Sequence, residues 1–249
     1  TTLQRWVTMG LPWTPGDADK LVEVEEEEGH DERTKINDFT KSYWSYKPLK
    51  RPNIPDVSDP EWRANPVDAF VFHKLREHSL TPNPTAEARA LVRRAYHNIT
   101  GLPPSPEEID RDARNFTPSS WAALVDRLLE SPHYGEKWAR HWLDVVRYAE
   151  TNGFERDSTK DHIWRYRDYV IRAFNEDKPY DQFIREQLAG DELDEVTQDS
   201  LIATGYHRLM QWDDEPADRP QHIYDVLDDN VRTTSEGILG MTLGCARCH

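Results

Sequence analysis

The chain has 249 residues, room for one large domain or two small ones with a substantial core. A formal net charge of −15 argues against a nucleic-acid partner. No apolar run is long enough to span a bilayer, so the chain is not expected to be transmembrane.

In chain order, Leu3, Trp6 and Val7 share a helical face that Gly10 would close. Residues 1–13 therefore read as the tail of a preceding module. Residues 14–38 carry Pro15, Gly16 and the acidic run Glu25, Glu26, Glu27 and Glu28, and read as an acidic linker. Residues 39–249 are expected to form an all-α, irregular multi-helix domain with a proline-rich N-terminal arm. In that arm Tyr43, Trp44 and Tyr46 precede Pro48, Pro52, Pro55 and Pro60, a density that forbids a long helix. Its aromatic rings are expected to lie under cover against the helical body.

Asn65 followed by Pro66 is a cap and a first-turn proline, which predicts a helix over 66–78 with Val67, Phe70, Val71 and Leu75 turned inward. Thr85 is expected to cap the next helix, which Gly101 ends. Ser105 with Glu108 three residues on predicts a capping box. Further helices are predicted over 118–130, 136–149, 162–175, 179–188, 197–210 and 222–243. Trp138, Trp142, Val145, Val146, Trp164, Tyr169, Val170 and Phe174 are core candidates. Arg165, Asp168 and Arg172 are spaced for mutual ion pairs. No stretch alternates apolar and polar residues in the manner of a strand.

The last five residues carry the most chemistry. Cys245, Cys248 and His249 form Cys-X-X-Cys-His, the attachment pattern of a c-type haem. Two thiols at this spacing can each bond one vinyl group of a porphyrin, and the histidine can reach the iron. They are the only two cysteines in the chain. The same residues would serve a zinc or other metal site, or a disulfide; covalent haem c is the reading the pattern favours. The motif closes the sequence, so the chain is expected to be a segment of a longer protein. A c-type haem also implies export to the periplasm or beyond. For the sixth iron position His133, in a predicted loop, and His141 are the first candidates, and each also reads as an ordinary structural or surface histidine.

His141, Asp144 and Tyr148 fall at i, i+3 and i+7 of the predicted 136–149 helix, with Arg140 and Arg147 beside them. Histidine moves protons near neutrality and arginine grips carboxylates. His141, Asp144, Arg147 and Tyr148 are thus candidate catalytic residues, and Arg140 a candidate for a haem propionate. A buried ion network is the competing reading. Asn152, Glu155 and Asp157 offer oxygen ligands to calcium, although their spacing is not that of an EF-hand loop. Nine tryptophans and ten tyrosines suit aromatic packing, or a cleft for a carbohydrate or a porphyrin.

Several stretches resemble a single family: Asn65-Pro66-Val67-Asp68, Thr100-Gly101-Leu102-Pro103-Pro104, and the run from Ser131-Pro132-His133-Tyr134-Gly135 through Trp138, His141 and Trp142 to Asp144. So do Trp164-Arg165-Tyr166-Arg167-Asp168-Tyr169-Val170, Lys178-Pro179-Tyr180-Asp181, Gln187-Leu188-Ala189-Gly190-Asp191-Glu192 and residues 244–249. They are similar to a large cytochrome-associated family abundant in planctomycetes, in which a cytochrome c module often precedes a helical domain of unknown function. The resemblance covers nearly all of 40–249. It implies that residues 1–13 end an upstream cytochrome c module and that members are exported. It also implies that the chain usually continues past the motif into an aspartate, a second histidine and a Lys-Phe-Asp-Pro run. The function expected is an exported c-type haem protein, a redox enzyme or enzyme component acting on a polar substrate such as a glycan. Its partners would be the cytochrome module and other redox proteins. The alternative is a non-catalytic multihaem electron carrier or scaffold.

Overall fold

The structure, a computed structural model, describes residues 37–247. The predicted module tail and nearly all of the predicted linker lie outside the described residues, as do Cys248 and His249. Among the described residues there are eleven α-helices, a few 3-10 turns and no strand; Thr151 and Thr159 form a single isolated bridge. The all-α expectation holds. No helix among them is long and apolar enough to cross a membrane. Contacts divide the described residues into two compact units, one ending at Asn83 and the other beginning at Pro84.

In the first unit α1 (Asp38–Ser42) is started by a capping box between Asn37 and Thr40. A 3-10 turn, α2 (Pro60–Arg63) and α3 (Pro66–Glu77) follow. Asn65 caps α3 by accepting the Val67 N–H at 2.8 Å, as its position before proline predicts. The expected cover for the aromatic arm is not found: Tyr43, Trp44 and Tyr46 are all exposed. Val67, Phe70 and Val71 are exposed too, so the predicted inward stripe of α3 is only partly buried.

The second unit holds two apolar cores. The smaller joins α4 (Ala88–Ile99), α5 (Pro106–Ala113) and α6 (Pro118–Leu129) around Val92, Ala95, Tyr96, Leu124 and Leu128. Ser105 and Glu108 form the predicted capping box, whereas α4 starts after Glu87 with no side-chain cap, so Thr85 does not serve. The larger core joins α7 (Pro132–Val145), α8 (Trp164–Asn175), α9 (Tyr180–Ala189) and α10 (Gln198–Ala203). A 3-10 turn, Thr204–Arg208, and the long α11 (Arg219–Gly237) complete the unit. The single helix expected over 197–210 is therefore split, and α11 ends six residues before Leu243.

Helix α7 crosses α8 at a glycine. A Cβ built on Gly135 would lie 2.4 Å from the Ile171 carbonyl oxygen, so nothing larger fits the crossing. Asn175 locks it, accepting the Gly135 N–H at 2.8 Å and donating to the Pro132 carbonyl at 3.1 Å. This crossing turns Ala139, Trp142 and Val146 inward. Trp138 and Val145, expected in the core, are rotated toward solvent, and on α8 Tyr166 is buried where Trp164 was expected. The triple of Arg165, Asp168 and Arg172 does not form. Asp168 pairs with Arg167 at 2.9 Å, Arg172 with Asp199 at 2.6 Å, and Arg165 lies over the Trp164 ring.

Two buried polar knots hold α7, α8 and α9 together. Trp142 Nε1 donates to Tyr166 Oη at 3.1 Å and Gln187 Oε1 at 3.0 Å, and the Tyr166 hydroxyl donates to the same amide oxygen. Nearby, Glu186 accepts from Tyr169 Oη at 2.8 Å, Lys178 Nζ at 2.6 Å and Gln182 Nε2 at 2.8 Å. Buried groups of this kind are costly unless every one is matched, and here each is.

Candidate functional site

The haem motif is only partly described. Cys245 lies on the 3-10 turn Leu243–Arg247, its thiol is exposed, and its N–H donates to the Thr242 carbonyl at 3.2 Å. The turn packs back on α11: a Cβ on Gly244 would come within 2.9 Å of Arg232 Cγ. Helix α11 is in turn fixed to the body of the unit. Tyr206 Oη and Thr234 Oγ1 are 2.8 Å apart, and Arg147 Nε donates to Asp229 Oδ2 at 2.9 Å.

The proposed acid–base face of α7 is not assembled as the sequence predicts. The helix stops at Val145, and Arg147 takes a left-handed conformation with φ of 56°. This geometry closes a helix when the next N–H groups turn back, and here Tyr148 N–H reaches the Leu143 carbonyl at 2.9 Å. Glycine usually occupies such a position; arginine is held there because its guanidinium donates to the Val146 carbonyl and to Asp229. His141 and Asp144 stay on the helix and are exposed, with the His141 ring against Trp138 at 5.4 Å. Arg147 and Tyr148 leave it. No side-chain hydrogen bond among the described residues joins the two pairs.

Tyr148 donates to Glu150 Oε1 at 3.0 Å and stacks on Tyr166. Burial, then the Glu150 carboxylate, pushes its phenol up to about 12, so it stays protonated near neutrality. Arg140 is exposed. His133 is not in a loop, because Ser131 and Pro132 start the helix at 132. It sits exposed in the first turn of α7 with Nδ1 2.7 Å from Glu136 Oε2, not aimed inward. The calcium trio is not gathered into a ligand set. The Asn152 amide nitrogen donates to Ser158 Oγ and Asp214, while Asp157 Oδ1 accepts the Gly153 N–H. Among the described residues no three His, Cys, Asp or Glu side chains are grouped to hold a metal ion.

The tertiary structure builds instead two clefts around the segments 150–163 and 209–222. One, of about 380 Å³, is acidic, with Asp213, Asp225 and Asp229 beside Phe154, Met210 and His222. The His222 ring packs edge-on against Trp212 at 4.8 Å, and its Nε2 is buried without a hydrogen-bond partner. The other, of about 610 Å³, is lined by Asn152, Lys160, Arg165, Tyr166 and Arg208 among others. Asn152 is 6% exposed, and its Oδ1 makes no hydrogen bond. Lys160 Nζ donates to the Leu209 and Met210 carbonyls at 3.3 and 2.8 Å. Burial, then the charges of Arg208 and Arg147, holds the Lys160 ammonium below the usual lysine range. Sequence reasoning did not single out Lys160 or Arg208 at all. They reach the cleft from segments 48 residues apart, and no spacing rule links them.

Among known proteins, residues 66–249 match a family described as PSCyt2, protein of unknown function (DUF1549). No curated protein and no solved structure matches the chain.

Proposed function

Because the chain belongs to that family of proteins of unknown function, its chemistry must be read from its own residues, and we propose that it is an exported c-type haem protein. In this reading it is a redox enzyme, or a component of one, that acts on a polar substrate such as a carbohydrate. The observation that carries the reading is the Cys-X-X-Cys-His sequence at 245–249, which holds both cysteines of the chain.

The surroundings of Cys245 support it. Covalent attachment needs an accessible thiol, and Cys245 is exposed. Close to it in sequence Leu239, Met241 and Leu243 are exposed, as are Ile223, Leu227 and Val231, spaced four residues apart on one stripe of α11. Exposed apolar side chains grouped along one helix stripe suit a binding face, and a porphyrin is a flat apolar disc. Cys245 and Cys248 would hold haem through thioether bonds, and His249 would ligate its iron. Bound haem supplies one-electron transfer. The chain's part is to fix the attachment turn in place, through Gly244 against Arg232 and through the ties of α11 to Arg147 and Tyr206. An upstream cytochrome c module would be the electron partner, and Arg140 an exposed cation for a propionate.

The test is a pyridine haemochrome assay on protein matured in a cell that attaches c-type haem. A c-type spectrum that survives denaturation is expected for the wild type, with complete loss in the Cys245→Ser, Cys248→Ser double variant. Fully matured wild-type protein without haem overturns the proposal. With haem present, the ligand-field bands of the oxidised protein separate an iron open to substrate from one closed by two protein ligands. The first outcome marks an enzyme and the second an electron carrier.

A further inference from the structure

The 610 Å³ cleft is lined by three basic side chains that have no carboxylate partner among the described residues. Lys160 comes from the loop before α8, Arg165 from the first turn of α8, and Arg208 from the 3-10 turn after α10. None of the three has a carboxylate within salt-bridge distance among the described residues. Lys160 spends its ammonium on two backbone carbonyls, and Arg165 and Arg208 lie over the rings of Trp164 and Trp212 at 5.6 and 3.7 Å.

The two carboxylates on the same cleft are turned to other donors. Asp161 accepts the Thr159 hydroxyl at 2.6 Å, and Asp214 accepts from the Ser158 hydroxyl and the Asn152 amide. The positive end of the α8 dipole adds to the field, since α8 begins here with no side-chain cap. Burial costs Lys160 part of its preference for the charged form, a penalty that an anion bound beside it would offset.

The second observation is Asn152. Its Nδ2 is committed to Ser158 and Asp214, which fixes the amide, and Oδ1 is left buried and unpaired. A buried acceptor without a donor costs about 1–3 kcal/mol. Oδ1 is covered in this structure, so a ligand hydroxyl or amine reaches it, and removes that cost, by displacing its cover.

We infer that this cleft binds a small hydroxylated molecule bearing an oxyanion. Arg165 and Arg208 grip the carboxylate, sulfate or phosphate group, and Asn152 Oδ1 accepts from a neighbouring hydroxyl. Guanidinium groups suit this task because their planar forks match the oxyanion edge. The volume lies within the range of ordinary small-molecule sites. The inference does not rest on the haem, since every residue it uses lies outside the motif.

The test is isothermal titration calorimetry of the full chain at low ionic strength. The ligands are glucuronate, glucose 6-sulfate and glucose 6-phosphate, with glucose and cyclohexanecarboxylate as controls. Saturable binding is expected for at least one of the charged sugars, and which one binds identifies the oxyanion. Glucose, lacking the charge, and cyclohexanecarboxylate, lacking the hydroxyls, should each bind at least tenfold more weakly. Arg165→Gln and Arg208→Gln should each weaken binding at least tenfold, while Arg93→Gln, on the exposed side of α4, leaves it unchanged. Both cleft arginines are exposed, and Arg165→Gln alone decides the matter if removing Arg208 from Trp212 disturbs the fold. No saturable binding, equal binding of glucose, or equal binding by Arg165→Gln overturns the inference. Equal binding of cyclohexanecarboxylate overturns the role of Asn152. Haem content, measured on the same samples, keeps these outcomes separate from the fate of the proposed function.

Discussion

Replacing Lys178 with methionine is expected to destabilise the second unit by about 3–5 kcal/mol, because it strands a buried carboxylate. Glu186 is 4% exposed and Lys178 is its cationic partner, at 2.6 Å with both side chains nearly covered. The gain from such a pair against an apolar replacement of both partners is small, whereas removing one partner leaves an uncompensated charge in a poor solvent. For a unit of this size the loss corresponds to a fall in melting temperature of about 6–20 °C, read by circular dichroism.

The pH dependence sharpens the prediction. Burial alone would raise the Glu186 pKa, but hydrogen bonds from Lys178, Gln182 and Tyr169 outweigh it and hold the carboxyl below the usual range. A depressed folded-state pKa contributes stability that is full above the unfolded value of about 4.3 and is lost as pH falls through the folded value. In Lys178→Met burial is expected to outweigh the remaining hydrogen bonds from Gln182 and Tyr169, so the folded pKa rises above the unfolded one. Its penalty is then greatest near neutrality and is relieved on acidification. The gap between variant and wild type should therefore narrow from pH 7 to pH 4. A constant gap, or a difference near neutrality under about 1 kcal/mol, contradicts the account of this pair.

Gly190→Ala should cost about 3 kcal/mol, for a steric reason. Gly190 closes α9 at an ordinary helical φ of −66°, so alanine meets no backbone penalty there. The new Cβ would instead stand 2.0 Å from the Ser200 carbonyl oxygen and 2.3 Å from that of Glu186. Neither is the free end of a side chain, so α9 and α10 must move apart, and the bond from Ser200 Oγ to the Gly190 carbonyl goes with them. Gly205→Ala is the control: its Cβ would meet the Tyr166 ring at 3.6 Å, an ordinary contact, and a change within about 1 kcal/mol is expected. Equal losses at the two positions would show that packing at Gly190 is not the cause.

The parts of the fold legible in the sequence are those set by neighbours along the chain. Asn65 before Pro66, and Ser105 with Glu108, cap their helices as read, because a cap is made within three residues. The readings that failed needed information from elsewhere in the chain. The 136–149 helix looked continuous since nothing between Val145 and Ala149 breaks a helix; Arg147 turns it because Asp229, 82 residues on, is there to hold the guanidinium. That single turn separates His141 and Asp144 from Arg147 and Tyr148 and undoes the face drawn from i, i+3 and i+7 spacing. Trp138 was expected inside because it falls on the apolar side of the predicted helix. The close approach of Gly135 to the Ile171 carbonyl instead fixes which face of α7 meets α8, and that face carries Ala139 and Trp142.

By itself the sequence determined the all-α class, most helix starts, the absence of a membrane-spanning helix among the described residues, and the single cysteine pair on which the haem proposal rests. Each is a property of composition or of residues within one or two turns of each other. The tertiary structure alone decided which face of each helix is buried, where α7 ends, how Glu186 is satisfied, and that Lys160, Arg165 and Arg208 share a cleft with Asn152. These depend on distances between segments tens of residues apart, which a chain acquires only when its helices pack.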